Sequence, residues 1–170
     1  YADHRDLHLS IRRQRQMCIR DRNEAGTRVV HARIGLVLSA EGGALGAMLP
    51  LFRLCLGGRV GSGRQWWSWI SLNDTVRAVL FLLDKEISGA VNIATVNPQP
   101  QKVFASTLGR VLHRPTLTPA PRFAIKAALG EMGAALLLES TRLNPSVLAE
   151  NGFEFQDPDL ESALRKILAT

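Results

Sequence analysis

The chain has 170 residues, 46% of them hydrophobic, and a formal net charge of +6. This length and composition are typical of one globular domain or part of a larger one. The charge is weak evidence for nucleic-acid binding, because residues 1–22 hold six arginines against three aspartates while the other 148 residues carry 15 basic and 12 acidic groups. Two distant cysteines, Cys18 and Cys55, offer neither a disulfide framework nor metal-ligand spacing.

The same features predict a cytoplasmic protein that binds neither nucleic acid nor membranes. No run of about 18 uncharged apolar residues exists, and the first residues lack the apolar core of an export signal. We interpret residues 1–23 as a disordered or artefactual tail. The alternative, a basic arm for RNA, DNA or anionic lipid, lacks interleaved aromatic residues for base stacking.

Residues 28–38, RVVHARIGLVL, are predicted to form an interior strand of a parallel sheet covered on both faces, because apolar residues occupy both sides apart from His31 and Arg33. Ligands of open α/β sheets bind beyond the carboxyl ends of the strands, which here means Gly35 to Leu38. The alternative is that Val37 is an ordinary core residue. A helix is predicted over residues 46–56.

A glycine-rich loop, residues 57–63, precedes a predicted aromatic strand over residues 66–72. The loop fails the dinucleotide-binding fingerprint, which needs a strand before it and a helix after it. Ser71 and Asp74 form a capping signal that opens a helix. Five apolar residues are predicted to be the buried stripe of that helix: Leu72, Val76, Val79, Leu80 and Leu83.

The rest of the chain predicts a short strand over residues 89–94, a helix over residues 101–113 and a Pro-rich boundary over residues 115–122. A long apolar helix over residues 121–140 follows. Asn144-Pro145 opens a shorter helix that is closed by Gly152, and Asp157-Pro158 opens the last one.

The order of the glycine pair, GSG, Gln, aromatic residues, Trp-Ile, Asp and an amphipathic helix resembles extended short-chain dehydrogenases/reductases. More narrowly, the chain is similar to the sugar-epimerase-like subgroup that carries a C-terminal domain of unknown function. The likeness covers residues 25–168 and the C-terminal half of the family pattern. It departs from that pattern at Ser71, where relatives usually carry His.

The resemblance implies an α/β fold: the C-terminal part of a Rossmann-like doubly wound fold over residues 24–114, plus a small, mostly helical domain over residues 115–170. It implies NADP or NAD as cofactor in a full-length parent, with Arg33, Gly35, Leu36 and Val37 near the nicotinamide. It also implies a small-molecule substrate, sugar-like or nucleotide-linked, near residues 64–66, namely Arg64, Gln65 and Trp66. The alternative for these three is a solvated loop with a stacked aromatic side chain.

Hydride-transfer enzymes of this superfamily place a Tyr and a Lys four residues apart on one helical face. The single tyrosine is Tyr1, and residue 5 is Arg, so this chain lacks the dyad. No catalytic residue and no metal ligand is assigned. The leading hypothesis is therefore a fragment of an NAD(P)-dependent oxidoreductase or epimerase-like protein that is inactive alone. The alternative is a non-catalytic α/β module whose apolar helices dock on a partner protein.

Overall fold

The computed structural model describes residues 26–116 and 139–169. Strands and helices alternate along most of this part. The strands are β1 Val30–Ile34, β2 Leu36–Leu38, β3 Trp66–Trp67, β4 Trp69–Ser71, β5 Gly89–Ile93 and β6 Gln99–Pro100. The helices are α1 Gly43–Arg53, α2 Leu72–Asp84, α3 Gln101–Val111, α4 Ser146–Glu150 and α5 Leu160–Ala169.

The strands form three two-stranded pairings. β1 pairs with β5 and β2 pairs with β4, both in parallel, whereas β3 pairs antiparallel with β6. Parallel neighbours that are distant in sequence need crossover connections, and α1 and α2 lie in those connections. This is the α/β arrangement that the sequence predicts.

The prediction of one continuous interior strand over residues 28–38 is wrong. The chain breaks at Gly35, where the amide still donates to the Ile93 carbonyl at 2.9 Å while the Leu36 amide donates to the Ser68 carbonyl at 2.7 Å. A Cβ atom at Gly35 would lie 2.4 Å from the Ser68 oxygen, so only glycine fits this approach. Residues 31–34 are exposed, so the described part of the chain does not cover both faces of β1.

Two apolar clusters form the core, and the C-terminal helices contribute to both. The first surrounds Trp67, whose ring centroid lies 5.1 Å from that of Phe104, and it includes Leu164 of α5. The second contains strand residues of β4 and β5 together with Leu148 of α4 and Phe153. The described residues 139–169 therefore share both clusters with residues 26–116.

Helix α2 begins where the capping signal predicts. The Ser71 hydroxyl accepts a hydrogen bond from the Asp74 amide at 3.1 Å. The buried positions, however, are Asp74, Ala78 and Leu82. The predicted buried stripe is wrong, because all five of its residues are between 40% and 68% exposed.

The helix predicted over residues 46–56 begins and ends three residues earlier, as α1, and β6 was not predicted. The single strand predicted over residues 66–72 is wrong, because it is divided into β3 and β4, which pair with different strands. The remaining elements match their predictions closely. α3 ends two residues before the predicted boundary, and α4 and α5 follow Asn144-Pro145 and Asp157-Pro158. Gly152 has φ of +84°, which suits a residue just after a helix. The predicted tail at residues 1–23 and most of the helix predicted over residues 121–140 lie outside the described residues. Within the described ranges, no helix has the length and apolar character needed to cross a membrane.

Candidate functional site

A cavity of about 430 Å³ lies at the carboxyl ends of β2 and β4. The two parallel strands end together, since Leu38 is the register partner of Ser71. One side of the cavity is the segment after β2, and another is the first turn of α2. The third side comes from Asp157 and from Lys166 on α5. This is the sheet edge at which open α/β folds bind ligands.

The cavity wall is mixed in chemical character. Its apolar side chains are Leu38, Ala40, Leu72 and Ile167. Its polar side chains are Ser39, Glu41, Ser71, Asn73, Asp157 and Lys166. Such a wall suits a small ligand that has a flat or apolar part and several hydroxyl groups.

A buried carboxylate fixes the third side of the cavity against α2. Asp74 is only 1% exposed, and its oxygens accept hydrogen bonds from the Gln156 amide at 3.1 Å and the Asp157 amide at 2.9 Å. Arg77 also donates to this carboxylate at 2.7 Å and to the Glu154 carbonyl at 2.9 Å. Asp74 is thus a positioning residue that ties the C-terminal segment to α2.

Asp157 is the one cavity residue with a resolved pKa shift. Burial acts to raise the pKa of its carboxyl, but this effect is outweighed by hydrogen bonds from Lys166 and Ser71 and by the positive charges of Lys166 and Arg77. The pKa therefore lies below the ordinary value of 3.8. The Lys166 Nζ atom lies 2.6 Å from Asp157 Oδ1, so the carboxylate is ionised at neutral pH and can accept, but not supply, a proton.

The predicted cofactor residues come just before the cavity residue Leu38 in the sequence but do not line the cavity. Gly35 lies at the break between β1 and β2, and Leu36 and Val37 are half-buried strand residues. The next residue, Leu38, lines the cavity. Arg33 lies on β1 opposite Asn92 and is exposed.

The predicted substrate residues lie in a different place, beside β6. The Gln65 side chain donates to the Val60 carbonyl at 3.0 Å, and the Arg142 guanidinium lies 4.6 Å from the centroid of the Trp66 ring. Arg64 is exposed. Neither these three residues nor residues 33–37 line the cavity.

Sequence reasoning missed Asn73, Asp157 and Lys166 as cavity residues. Asn73 could have been found, because it lies in the turn that follows the carboxyl end of a parallel strand. Lys166 carried no such signal, because its place in the wall depends on how α5 packs. No cluster of His, Cys, Asp or Glu in the described ranges has the arrangement of a metal site.

Comparisons with known proteins show what this chain is similar to. A family model described as a domain of unknown function (DUF1731) matches residues 120–167. An epimerase family protein of Mycobacterium leprae (strain TN) is 45% identical over 141 residues, which make up 82% of this chain and 46% of that protein. One of Staphylococcus aureus (strain MW2) is 40% identical over 146 residues, or 85% of this chain and 48% of that protein.

A solved structure of an epimerase family protein is also similar to this chain. The human epimerase family protein SDR39U1 (isoform 2), crystallised with NADPH, is 34% identical with a TM-score of 0.77, over 85% of this chain and 49% of that one. The chain is similar to epimerase family proteins over 82–85% of its length. The predicted resemblance to epimerase-like short-chain dehydrogenases/reductases is thereby confirmed, together with the Rossmann-like fold. The chain spans about half the length of the curated relatives that it matches.

Proposed function

We propose that this chain supplies the substrate-facing half of an NAD(P)-dependent oxidoreductase or epimerase. The observation that carries the proposal is the cavity of about 430 Å³ at the shared carboxyl end of β2 and β4. A location in the cytoplasm is part of the proposal, supported by the two distant thiols.

The described residues fit the nicotinamide end of a dinucleotide better than its pyrophosphate. The segment Gly35 to Val37 leads directly to Leu38 in the cavity wall, so it is the proposed nicotinamide-facing segment, and exposed Arg33 is its outer neighbour. The glycine loop at residues 57–63 lies between α1 and β3, which leaves no helix N-terminus behind it to face phosphate. When bound, the dinucleotide would supply or accept a hydride.

The polar wall supports a hydroxyl-bearing, sugar-like substrate. Ser39 and Asn73 offer hydrogen-bond donors and acceptors to hydroxyl groups, and ionised Asp157 can accept from one. Asp157 cannot act as the proton donor at neutral pH. Since this chain also lacks a Tyr and Lys dyad, we propose that it is inactive without further polypeptide.

Arg64, Gln65 and Trp66 form the proposed outer subsite for a nucleotide-linked portion of the substrate. The exposed guanidinium of Arg64 can pair bidentately with a phosphate or carboxylate. The Trp66 ring is half-buried and contacts the Arg142 guanidinium, so the proposed role of Trp66 is to stabilise the conformation of this region.

Calorimetric titration with NADPH tests the proposal in two proteins. The first is this chain, and the second is a fusion in which the part of the M. leprae relative that precedes its match is joined to residue 26. We expect negligible heat from this chain at millimolar NADPH and saturable binding by the fusion. Saturable binding by this chain alone would show that the cofactor site is wrongly assigned, and no binding by either protein would favour the non-catalytic interaction module.

A further inference from the structure

Helix α4 is followed directly by an asparagine-glycine pair. Asn151 is exposed, and it is the only one of the six asparagines in the chain that precedes a glycine. Such a pair favours spontaneous deamidation, because glycine has no side chain to hinder attack of its amide nitrogen on the neighbouring carboxamide. Asn97 and Asn144 each precede a proline, which has no backbone N–H and cannot react in this way.

The reaction needs no partner other than water. The Gly152 nitrogen bonds to Cγ of Asn151 while the bond from Cγ to Nδ2 breaks, and ammonia leaves with the proton of the Gly152 amide. Water then opens the cyclic imide. Cleavage of the new Cγ–N bond gives aspartate. Cleavage of the original peptide C–N bond gives isoaspartate, in which the main chain runs through Cγ and is one methylene longer.

The native conformation holds the two reacting atoms apart. Asn151 has ψ of 9°, so the Gly152 nitrogen nearly eclipses the Asn151 nitrogen and is turned away from Cβ and Cγ. The Gly152 amide donates to the Ala149 carbonyl at 3.1 Å, and Asn151 Nδ2 donates to the Val147 carbonyl at 2.8 Å. With φ of +84°, Gly152 closes α4 as a C-terminal cap. Ring closure requires rotation about the Asn151 Cα–C bond, which breaks this cap.

The cap lies directly before the residues that hold the cavity wall. Phe153 is buried, and its ring packs edge-to-face against Phe81 with 5.4 Å between the centroids. The two amides that donate to the Asp74 carboxylate follow at positions 156–157. Isoaspartate at position 151 lengthens the main chain just before these contacts. It also adds a negative charge at the C-terminal end of α4, where the helix dipole disfavours one.

We propose that Asn151 is a deamidation site that the native fold protects, and that its conversion to isoaspartate releases the C-terminal wall of the cavity. Protection lasts only while the cap is closed, so the reaction rate follows the frequency of local opening. The reaction is irreversible, so isoaspartate accumulates with the age of the protein. The modification itself needs neither cofactor nor substrate, and only its effect on a ligand rests on the proposed function.

The first test compares reaction rates in this chain and in the M. leprae fusion. Both are incubated in native buffer and in guanidinium chloride above the unfolding midpoint, and peptide mapping by mass spectrometry follows replacement of the amide by a carboxylate. We expect Asn151 to react at least about tenfold more slowly in native buffer. The internal control is Asn73, which is exposed but precedes aspartate and should react more slowly than Asn151 in denaturant. In native buffer, Asp74→Ala should accelerate the reaction at Asn151 at least about threefold and Asp84→Ala should not, because only Asp74 contacts the C-terminal segment.

The second test examines the product. In the isoaspartyl chain, separated by chromatography, the amides at positions 156–157 should exchange hydrogen at least about tenfold faster than in the parent. Asn151→Asp has the charge of the product but an ordinary backbone, so its exchange should stay within about threefold of the parent. Equal rates in native buffer and denaturant in both proteins, no acceleration by Asp74→Ala, or parent-like exchange in the isoaspartyl chain would overturn the proposal. If the expected results are obtained but the fusion does not bind NADPH, only the proposed function is refuted.

Discussion

Removing the Asp74 carboxylate is the most direct perturbation of the contact that holds the cavity together. In Asp74→Ala, the buried Asp157 amide loses its acceptor, which costs about 1–3 kcal/mol. The Gln156 amide belongs to an exposed residue and can bond to water instead. Arg77 is 33% exposed, so its lost ion pair is screened and contributes under about 1 kcal/mol. The sum is about 1–4 kcal/mol of unfolding free energy.

The assay is thermal and urea unfolding followed by circular dichroism, with Asp84→Ala as the control on the same helix. Asp84 is exposed at the end of α2, where a negative charge is unfavourable to the helix dipole, so its loss should change stability by less than about 0.5 kcal/mol. Asp74→Ala should lower the melting temperature by about 2–15 °C.

Hydrogen exchange locates the effect. The amides of Gln156 and Asp157 should exchange faster in Asp74→Ala than in the parent, because both lose their acceptor. If the two alanine variants differed by less than about 1 kcal/mol, or if these amides kept their protection, the carboxylate would not be what fixes the C-terminal segment.

Three further predictions follow from the site and the strand break. The ionised Asp157 carboxylate stabilises the fold above its unfolded pKa, and this stabilisation is lost as pH falls through the lowered folded pKa. In unfolding curves, the free energy of unfolding should therefore decrease below the ordinary 3.8, and it should decrease less in Asp157→Asn. Gly35→Ala should lower the free energy of unfolding by about 1–3 kcal/mol, because the new Cβ atom would clash with the backbone. Gly42→Ala should be tolerated, because nothing lies within 4 Å of a Cβ atom there. Equal decreases in the two variants, measured by urea unfolding, would contradict this prediction. In the M. leprae fusion, Arg64→Ala should weaken an anionic or nucleotide-linked ligand by about 1.5–3 kcal/mol in calorimetry while the exposed neighbour Arg59→Ala does not, and equal affinity in the two would remove the outer subsite.

The sequence predicted features that depend on local chemistry. Ser71 caps α2 as expected, because a hydroxyl three residues before an amide needs no distant partner. The resemblance to epimerase-like proteins and the α/β class were also predicted correctly, since they rest on the order of glycines, aromatic residues and helices.

Features that depend on long-range packing were not predicted. Helix α2 is apolar on two sides, so the pattern could not show that Ala78 and Leu82 face the core while Val76 and Val79 do not. Lys166 reaches the cavity only through the packing of α5, which no short pattern encodes. The assignments of residues 33–37 and 64–66 stay predictions.

The Asp74 contact also sets an order of events during synthesis. Residue 166 is made about 95 residues after residue 71, which at roughly 5–20 residues per second is a delay of about 5–20 s. Until residues 156 and 157 are made, the Asp74 carboxylate has neither the Gln156 nor the Asp157 amide to accept from, and the sheet edge stays open. The ligand cavity is therefore completed only after the segment that carries α5 has left the ribosome.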